Sequence, residues 1–315
     1  VSAGVDLTTE VGSVVLPNPI MTASGTAGHG AELAAYVDLS SLGAVVVKSL
    51  SAEPWPGNPP LRVTETGVGM LNSVGLQGPG VAAWLAEDLP PLLRAGARVV
   101  ASIWGRSVDD YARAAALLAG APPEVVAVEI NLSCPNTEAG RDLFAHSAES
   151  TAAVMTATAA CGRPRWAKLS PNVTDLVPIA AAARDAGAEA VTLVNTVLGL
   201  AIDPDTGRYR LGSGPRGGGL SGAGIHPIAV RAVHDVHRAL PGLPIVGVGG
   251  VGRGEDAAEL VLAGASAVQV GTATFADPRA PARVLAELGS WARRTGRPSL
   301  RACVGAVHEK EATEP

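Results

Sequence analysis

The sequence predicts an α/β fold, a (β/α)8 (TIM) barrel with a short N-terminal hairpin and long inserted loops. Three observations lead there. Short apolar runs alternate with Ala- and Leu-rich runs of helical spacing from about residue 19 onward. Eight such strand-like runs can be counted in 315 residues, the size range of one such barrel. Polar or glycine residues follow nearly every run, as expected where strand ends build one rim. Residues 1–315 therefore read as a single domain. An open, doubly wound sheet is the alternative, and it would concentrate function in one crevice behind a glycine-rich first turn.

Composition supports a large core made from small residues. Hydrophobic residues make up 47% of the chain and aromatics 3%, so Ala, Val and Leu must do most of the packing. Mean hydropathy is +0.26, the formal charge is −5 and the pI about 5.7, with no basic patch to suggest a nucleic-acid partner. The three cysteines, Cys134, Cys161 and Cys303, lie far apart. They form no CxxC pair and no disulfide framework, which points to a reducing, cytoplasmic setting without a resident metal or iron–sulfur centre. No apolar run reaches the roughly 18 residues of a membrane span, and no signal peptide is expected.

In chain order, residues 4–16 alternate weakly around Gly12 and read as the hairpin. The strands are expected at 19–23, 44–47, 98–103, 125–130, 165–169, 190–194, 244–248 and 267–270. Helices are expected at 31–39, 81–93, 108–119, 147–160, 175–186, 227–240, 255–263 and 281–294. A Gly-Ala pair precedes four strands (Gly43, Gly96, Gly187 and Gly264), and glycine there suits a left-handed helix end. Two long connections, 50–80 with five prolines and 196–225, interrupt the period. Connections of that length in a compact domain are usually functional or disordered.

The rim residues divide by chemistry. Gly249, Gly250, Gly271 and Thr272 follow the last two strands, where backbone N–H groups can hold a phosphate. Gly219-Leu220-Ser221-Gly222 offers a further close backbone approach. Lys48 and Lys168 end apolar strands, where a cation is costly unless it meets an anion or acceptor. Asn72, Asn131, Asn136 and Asn195 can form a neutral hydrogen-bonding socket for a planar ligand. Cys134 sits between two of these amides, and a thiol there can act as base or nucleophile once ionised. The bland alternatives are a buried small residue at Cys134, turn-forming asparagines and solvated lysines. His226, His234 and His237 fall on or beside one helix and read as surface residues, while His29 lies near the first strand end.

The motifs Ala23-Ser24-Gly25-Thr26, Val47-Lys48-Ser49, Gly69-Met70-Leu71-Asn72-Ser73-Val74-Gly75-Leu76-Gln77 and Asn131-Leu132-Ser133-Cys134-Pro135-Asn136 carry a resemblance. So do Lys168-Leu169-Ser170-Pro171-Asn172-Val173, Asn195-Thr196, Gly218-Gly219-Leu220-Ser221-Gly222, Gly249-Gly250-Val251 and Val270-Gly271-Thr272-Ala273. Together, and in this order, they resemble class 1 dihydroorotate dehydrogenases nearly end to end, most closely the catalytic FMN subunit of type B.

The resemblance implies an FMN enzyme that oxidises (S)-dihydroorotate to orotate in pyrimidine biosynthesis. Cys134 would remove the C5 proton while a hydride passes from C6 to flavin N5, with Lys48 as the second catalytic residue. Substrate contacts would fall on Lys48, Asn72, Asn131, Asn136, Asn195 and Thr196, and on Met70, Leu71 and Leu76. FMN contacts would fall on Ala23, Ser24, Lys48, Ser49, Ser102, Asn131 and Lys168. Val194, Gly222, Gly249, Gly250, Gly271 and Thr272 complete that set, and Lys168 would face the reduced, anionic ring. Residues 134–146 would form a loop over the base.

A homodimer is expected, with a separate iron–sulfur/FAD subunit if the acceptor is NAD. Two features depart from type B. Ser102 stands where type B usually has Asn and resembles the fumarate-using type A, and segment 140–146 lacks the usual glycine-rich pattern. Another pyrimidine, as in the related domain of dihydropyrimidine dehydrogenase, or a specialised pathway is the alternative use of the same site. A non-redox barrel acting on a sugar phosphate is the reading from a different class.

Overall fold

The computed structural model describes residues 5–133 and 144–311. Eight parallel strands form the barrel: β1 (Ile20–Thr22), β2 (Val45–Val46), β3 (Val99–Ile103), β4 (Val125–Asn131), β5 (Arg165–Lys168), β6 (Ala190–Leu193), β7 (Ile245–Val248) and β8 (Ala267–Val270). They pair in chain order, and β8 returns to β1 with Val268 opposite Ile20. The remaining seam, β1 to β2, is closed by a single parallel bridge between Met21 and Ala44. The open-sheet alternative is thereby set aside.

Alternation along the strands sorts the core into two layers. One face of each strand packs on the surrounding helices, as Val99, Ala101 and Ile103 do on β3. The other face fills the barrel. Its lower layer is apolar, with Val46, Val100, Ala127, Trp166, Ala190, Val246 and Ala267 in contact. The N-terminal hairpin (Thr9–Val11 paired with Val14–Leu16) plugs this end with Val11, Val14 and Leu16. Two residues further along the same strands, the interior turns polar: Ser102, Glu129, Lys168, Thr192 and Gln269 are all buried. The period-2 geometry of a strand requires this, because Ala127, Glu129 and Asn131 share one face of β4.

The two long connections meet. Val63–Thr66 and Gly69–Asn72 come from the first, and Val197–Gly199 and Gly218–Ser221 from the second. They form one four-stranded antiparallel sheet in which Asn72 lies opposite Gly219. This sheet covers the end of the barrel opposite the hairpin.

Some elements differ from the sequence expectation. Residues 31–39 form two 3-10 turns, Glu32–Ala35 and Leu39–Ser41, instead of one helix. Gly96, Gly187 and Gly264 have positive φ as expected after helices, but Gly43 does not. A side chain at Gly43 would instead meet the Asn18 carbonyl. His226, His234 and His237 are half-buried and not surface residues. His234 stacks on His308 of the last helix at 4.5 Å, His237 lies tilted against it at 5.0 Å, and Gly264 leaves the room that His237 needs. Among the described residues no helix is long and apolar enough to cross a membrane.

Candidate active site

The strand ends and the antiparallel sheet enclose a cavity of about 400 Å³. β1 and its following turn bring Ala23 and Ser24. The residues just after β2 bring Lys48 and Ser49. β4 ends on Asn131, and β5 on Lys168. Val194, Asn195 and Thr196 follow β6, and the loops after β7 and β8 add Gly249, Gly250, Gly271 and Thr272. The antiparallel sheet supplies Met70 and Asn72, with Leu76 beyond it, and Gly222 follows its strand Gly218–Ser221. All of these line the cavity.

Two residues singled out in the sequence lie elsewhere. Ser102 is fully buried one layer below, with its Oγ 2.9 Å from Ser49 Oγ. Leu71 points to the far face of its strand and packs against Gly199, as alternation between Met70 and Asn72 demands. Cys134 and Asn136 lie outside the described residues. Ser133, immediately before Cys134, lines the cavity.

Asn131 organises the centre. Its amide nitrogen donates to Ser49 Oγ at 3.1 Å. Its amide oxygen accepts from Asn195 Nδ2 at 3.1 Å and from the Ser133 backbone N–H at 3.2 Å. The Tyr111 hydroxyl donates to its backbone carbonyl at 2.6 Å. An amide so held presents a fixed orientation to whatever fills the cavity. Tyr111 in turn meets Phe144 edge-on at 5.3 Å, and the Ala145 N–H bonds the Leu132 carbonyl. The chain on either side of segment 134–143 is therefore anchored at one place.

The two lysines differ in kind. Lys168, almost fully buried, lies 3.4 Å from the carboxylate of Glu129 and donates to Ser24 Oγ at 3.0 Å. Lys48 has no carboxylate partner among the described residues. Burial, and secondarily the charge of Arg62, lowers its pKa. A buried cation without a carboxylate partner among the described residues suits an anionic ligand.

This has a consequence for stability. The folded-state pKa of Lys48 lies below the unfolded value of 10.5, so the unfolded chain binds more protons between the two. Its destabilising contribution is full below the folded pKa and fades as pH rises toward 10.5. Lys48→Met should be more stable than the parent at neutral pH, with the gap narrowing on approach to pH 10.5. Urea melts across that range measure it, and a gap independent of pH would contradict it.

The glycine turns form a backbone cradle. Gly222, Gly249 and Gly250 have φ of 101°, 140° and 69°, where side chains are strained. A Cβ on Gly250 would lie 2.6 Å from His226 Cβ, and one on Gly222 would lie 2.7 Å from Gly69 Cα. His226 sits under this turn, with Nδ1 2.8 Å from the Gly249 carbonyl. Thr272 Oγ1 bonds Ser221 Oγ at 2.8 Å, linking the two sides. Bare backbone with a nearby hydroxyl is the donor set for a phosphate. The neutral amides and Lys168 deeper in the cavity suit the planar, polar remainder of a phosphate-bearing cofactor such as FMN.

Sequence reasoning missed Asn172, which lines the cavity, donates to the Thr196 carbonyl at 3.0 Å and accepts from the Leu198 N–H. It also missed the layer beneath. Gln269 and Thr192 donate to one oxygen of Glu129 at 2.7 and 3.2 Å, and Ser102 approaches the other at 3.4 Å. The signal for Glu129 was present, as an acid inside an otherwise apolar strand.

Comparison with known proteins agrees with this geometry. Residues 6–291 match the family model described as dihydroorotate dehydrogenase. A Solibacter usitatus protein with the provisional name dihydroorotate dehydrogenase A (fumarate) is 48% identical, covering 92% of this chain and 94% of its own. The catalytic subunit of dihydroorotate dehydrogenase B (NAD(+)) from Desulforudis audaxviator is 47% identical, covering 95% and 96%. The Geobacter sulfurreducens protein of the same description is 44% identical, covering 96% and 98%. A family match over most of the chain, with relatives this similar over nearly their full length, establishes that the chain belongs to the dihydroorotate dehydrogenase family.

Proposed function

We propose that this chain oxidises (S)-dihydroorotate to orotate with FMN held in the rim cavity. The observation that carries the reading is the convergence, in one cavity, of a cation with no carboxylate partner among the described residues, fixed amides and a glycine cradle. Lys48 pairs with the substrate carboxylate. Asn72 and Asn195 hold the substrate ring in place, and Asn131 touches both substrate and cofactor. Asn136 and Cys134, which lie outside the described residues, would join this set by the resemblance of their motif. FMN, when bound, supplies the acceptor for the hydride leaving C6. The glycine turns would hold its phosphate, and Lys168 would serve its ring. Cys134 takes the C5 proton as general base, which is feasible because C5 lies beside a carbonyl and a thiolate is accessible near neutral pH.

We assign the chain to type B, a catalytic subunit working with an iron–sulfur/FAD partner that passes electrons to NAD. A fumarate-reducing enzyme is the second reading. It is favoured by Ser102 and by a relative of nearly equal identity with that name. We further propose a cytoplasmic homodimer. Exposed Leu61, Val68, Leu198, Leu200 and Ile202, on and beside the antiparallel sheet, offer an apolar surface for the second copy.

Orotate formation from dihydroorotate, followed with an artificial dye acceptor, tests the activity. Turnover with fumarate in place of the dye identifies type A. Turnover with NAD only after the partner subunit is added identifies type B. Purified, flavin-loaded protein that makes no orotate with any of the three acceptors would defeat the proposal.

A further inference from the structure

We propose that Glu129 is a positioning residue that sets the reduction potential of the bound flavin through Lys168. This rests on the FMN reading above and deepens it.

Glu129 is fully buried and does not line the cavity, whereas Lys168 does. The two are 3.4 Å apart. The carboxylate is also solvated from below by Gln269, Thr192 and Ser102, each from a different strand. The three donors and the ammonium 3.4 Å away make Glu129 the counter-charge of Lys168. Gln269 also reaches Lys168, its Oε1 accepting from the ammonium at 3.5 Å. The cation facing the cavity is thus part of a near-neutral pair held on the barrel axis.

Two electrons and one proton convert the neutral oxidised flavin ring to its anionic reduced form, which gains one negative charge. A bare Lys168 would favour that form strongly. Glu129 withdraws part of the benefit and keeps the flavin easier to reoxidise. A low potential suits an enzyme that must hand its electrons on after each turnover. In the interior this effect is large because little water screens it.

The test is the midpoint potential of the flavin in the purified holoprotein, measured by titration against reference dyes. Glu129→Gln keeps the shape and most hydrogen bonds but removes the charge. It should raise the affinity ratio of reduced over oxidised flavin about 10- to 100-fold, equivalent to about 30–60 mV for a two-electron couple. In a Lys168→Met background the same change should move the potential by less than a third of that. Glu129→Asp, which keeps the charge and draws it back from Lys168, should give a smaller rise of the same sign. It serves as the reading if the Gln variant fails to fold. An unchanged or lowered potential in the folded variants, or a shift that persists without Lys168, would overturn the inference and leave the FMN reading intact. A parent protein that binds no flavin would instead defeat the FMN reading itself.

Discussion

Cys134→Ala should purify with its flavin and reduce that flavin with dihydroorotate slower than the parent by a factor on the order of 10²–10⁴, the usual size of a general-base effect. The cofactor contacts proposed here lie on β1, β2, β4, β5, β6 and the glycine turns, so they do not depend on the thiol. The proposed chemistry does, because in that reading the C5 proton leaves to Cys134 as the hydride departs from C6. Stopped-flow absorbance of the two proteins separates the roles. Equal reduction rates would remove Cys134 from proton transfer. Loss of flavin from the variant would mean that the thiol helps to hold the cofactor.

Gly250→Ala should purify largely without flavin and with lower stability, by about 1–3 kcal/mol. Its backbone has φ of 69°, and the added Cβ would fall 2.6 Å from His226 Cβ and 2.9 Å from the His226 backbone nitrogen. Relief requires the turn to move, and the turn is the proposed phosphate cradle. Gly271→Ala is the contrast. Its backbone is not in the left-handed region, and the nearest atom to a new Cβ is Ala23 Cβ at 3.2 Å. That variant should fold nearly as well as the parent and bind FMN more weakly, because the methyl group sits in the cavity wall. Thermal melts with flavin absorbance distinguish the two. Full flavin content in both variants would mean that the phosphate lies elsewhere.

The barrel was legible because its signal is local and repeats. An apolar run, a polar rim residue and a helical run recur eight times, and each predicted strand overlaps an observed one, β4 running one residue further to Asn131. The rim was legible for the same reason, since the fold gathers whatever follows each strand. Lys48, Asn131 and Lys168 needed only a strand end to be found.

The antiparallel cover was not legible. Asn72 and Gly219 pair across 147 residues, and neither segment carries a pattern that names the other. Without that strand, the alternation that turns Leu71 away from the cavity could not be applied. The docking of His234 and His237 on the last helix is another long-range contact of this kind. Glu129 is a different case. It shares a strand face with Asn131, so its inward direction followed from spacing alone. Its importance did not, because its partners Thr192 and Gln269 sit inside other apolar strands and look unremarkable in sequence.

The central claim is that one cavity joins an FMN phosphate cradle to a dihydroorotate socket. Anaerobic mixing of the purified protein with dihydroorotate, with flavin absorbance followed in time, tests it most directly. The account predicts a yellow protein whose flavin band bleaches rapidly and nearly completely, with orotate formed in equal amount. A yellow protein that keeps its absorbance in excess dihydroorotate, or a colourless protein that takes up no FMN, would contradict it.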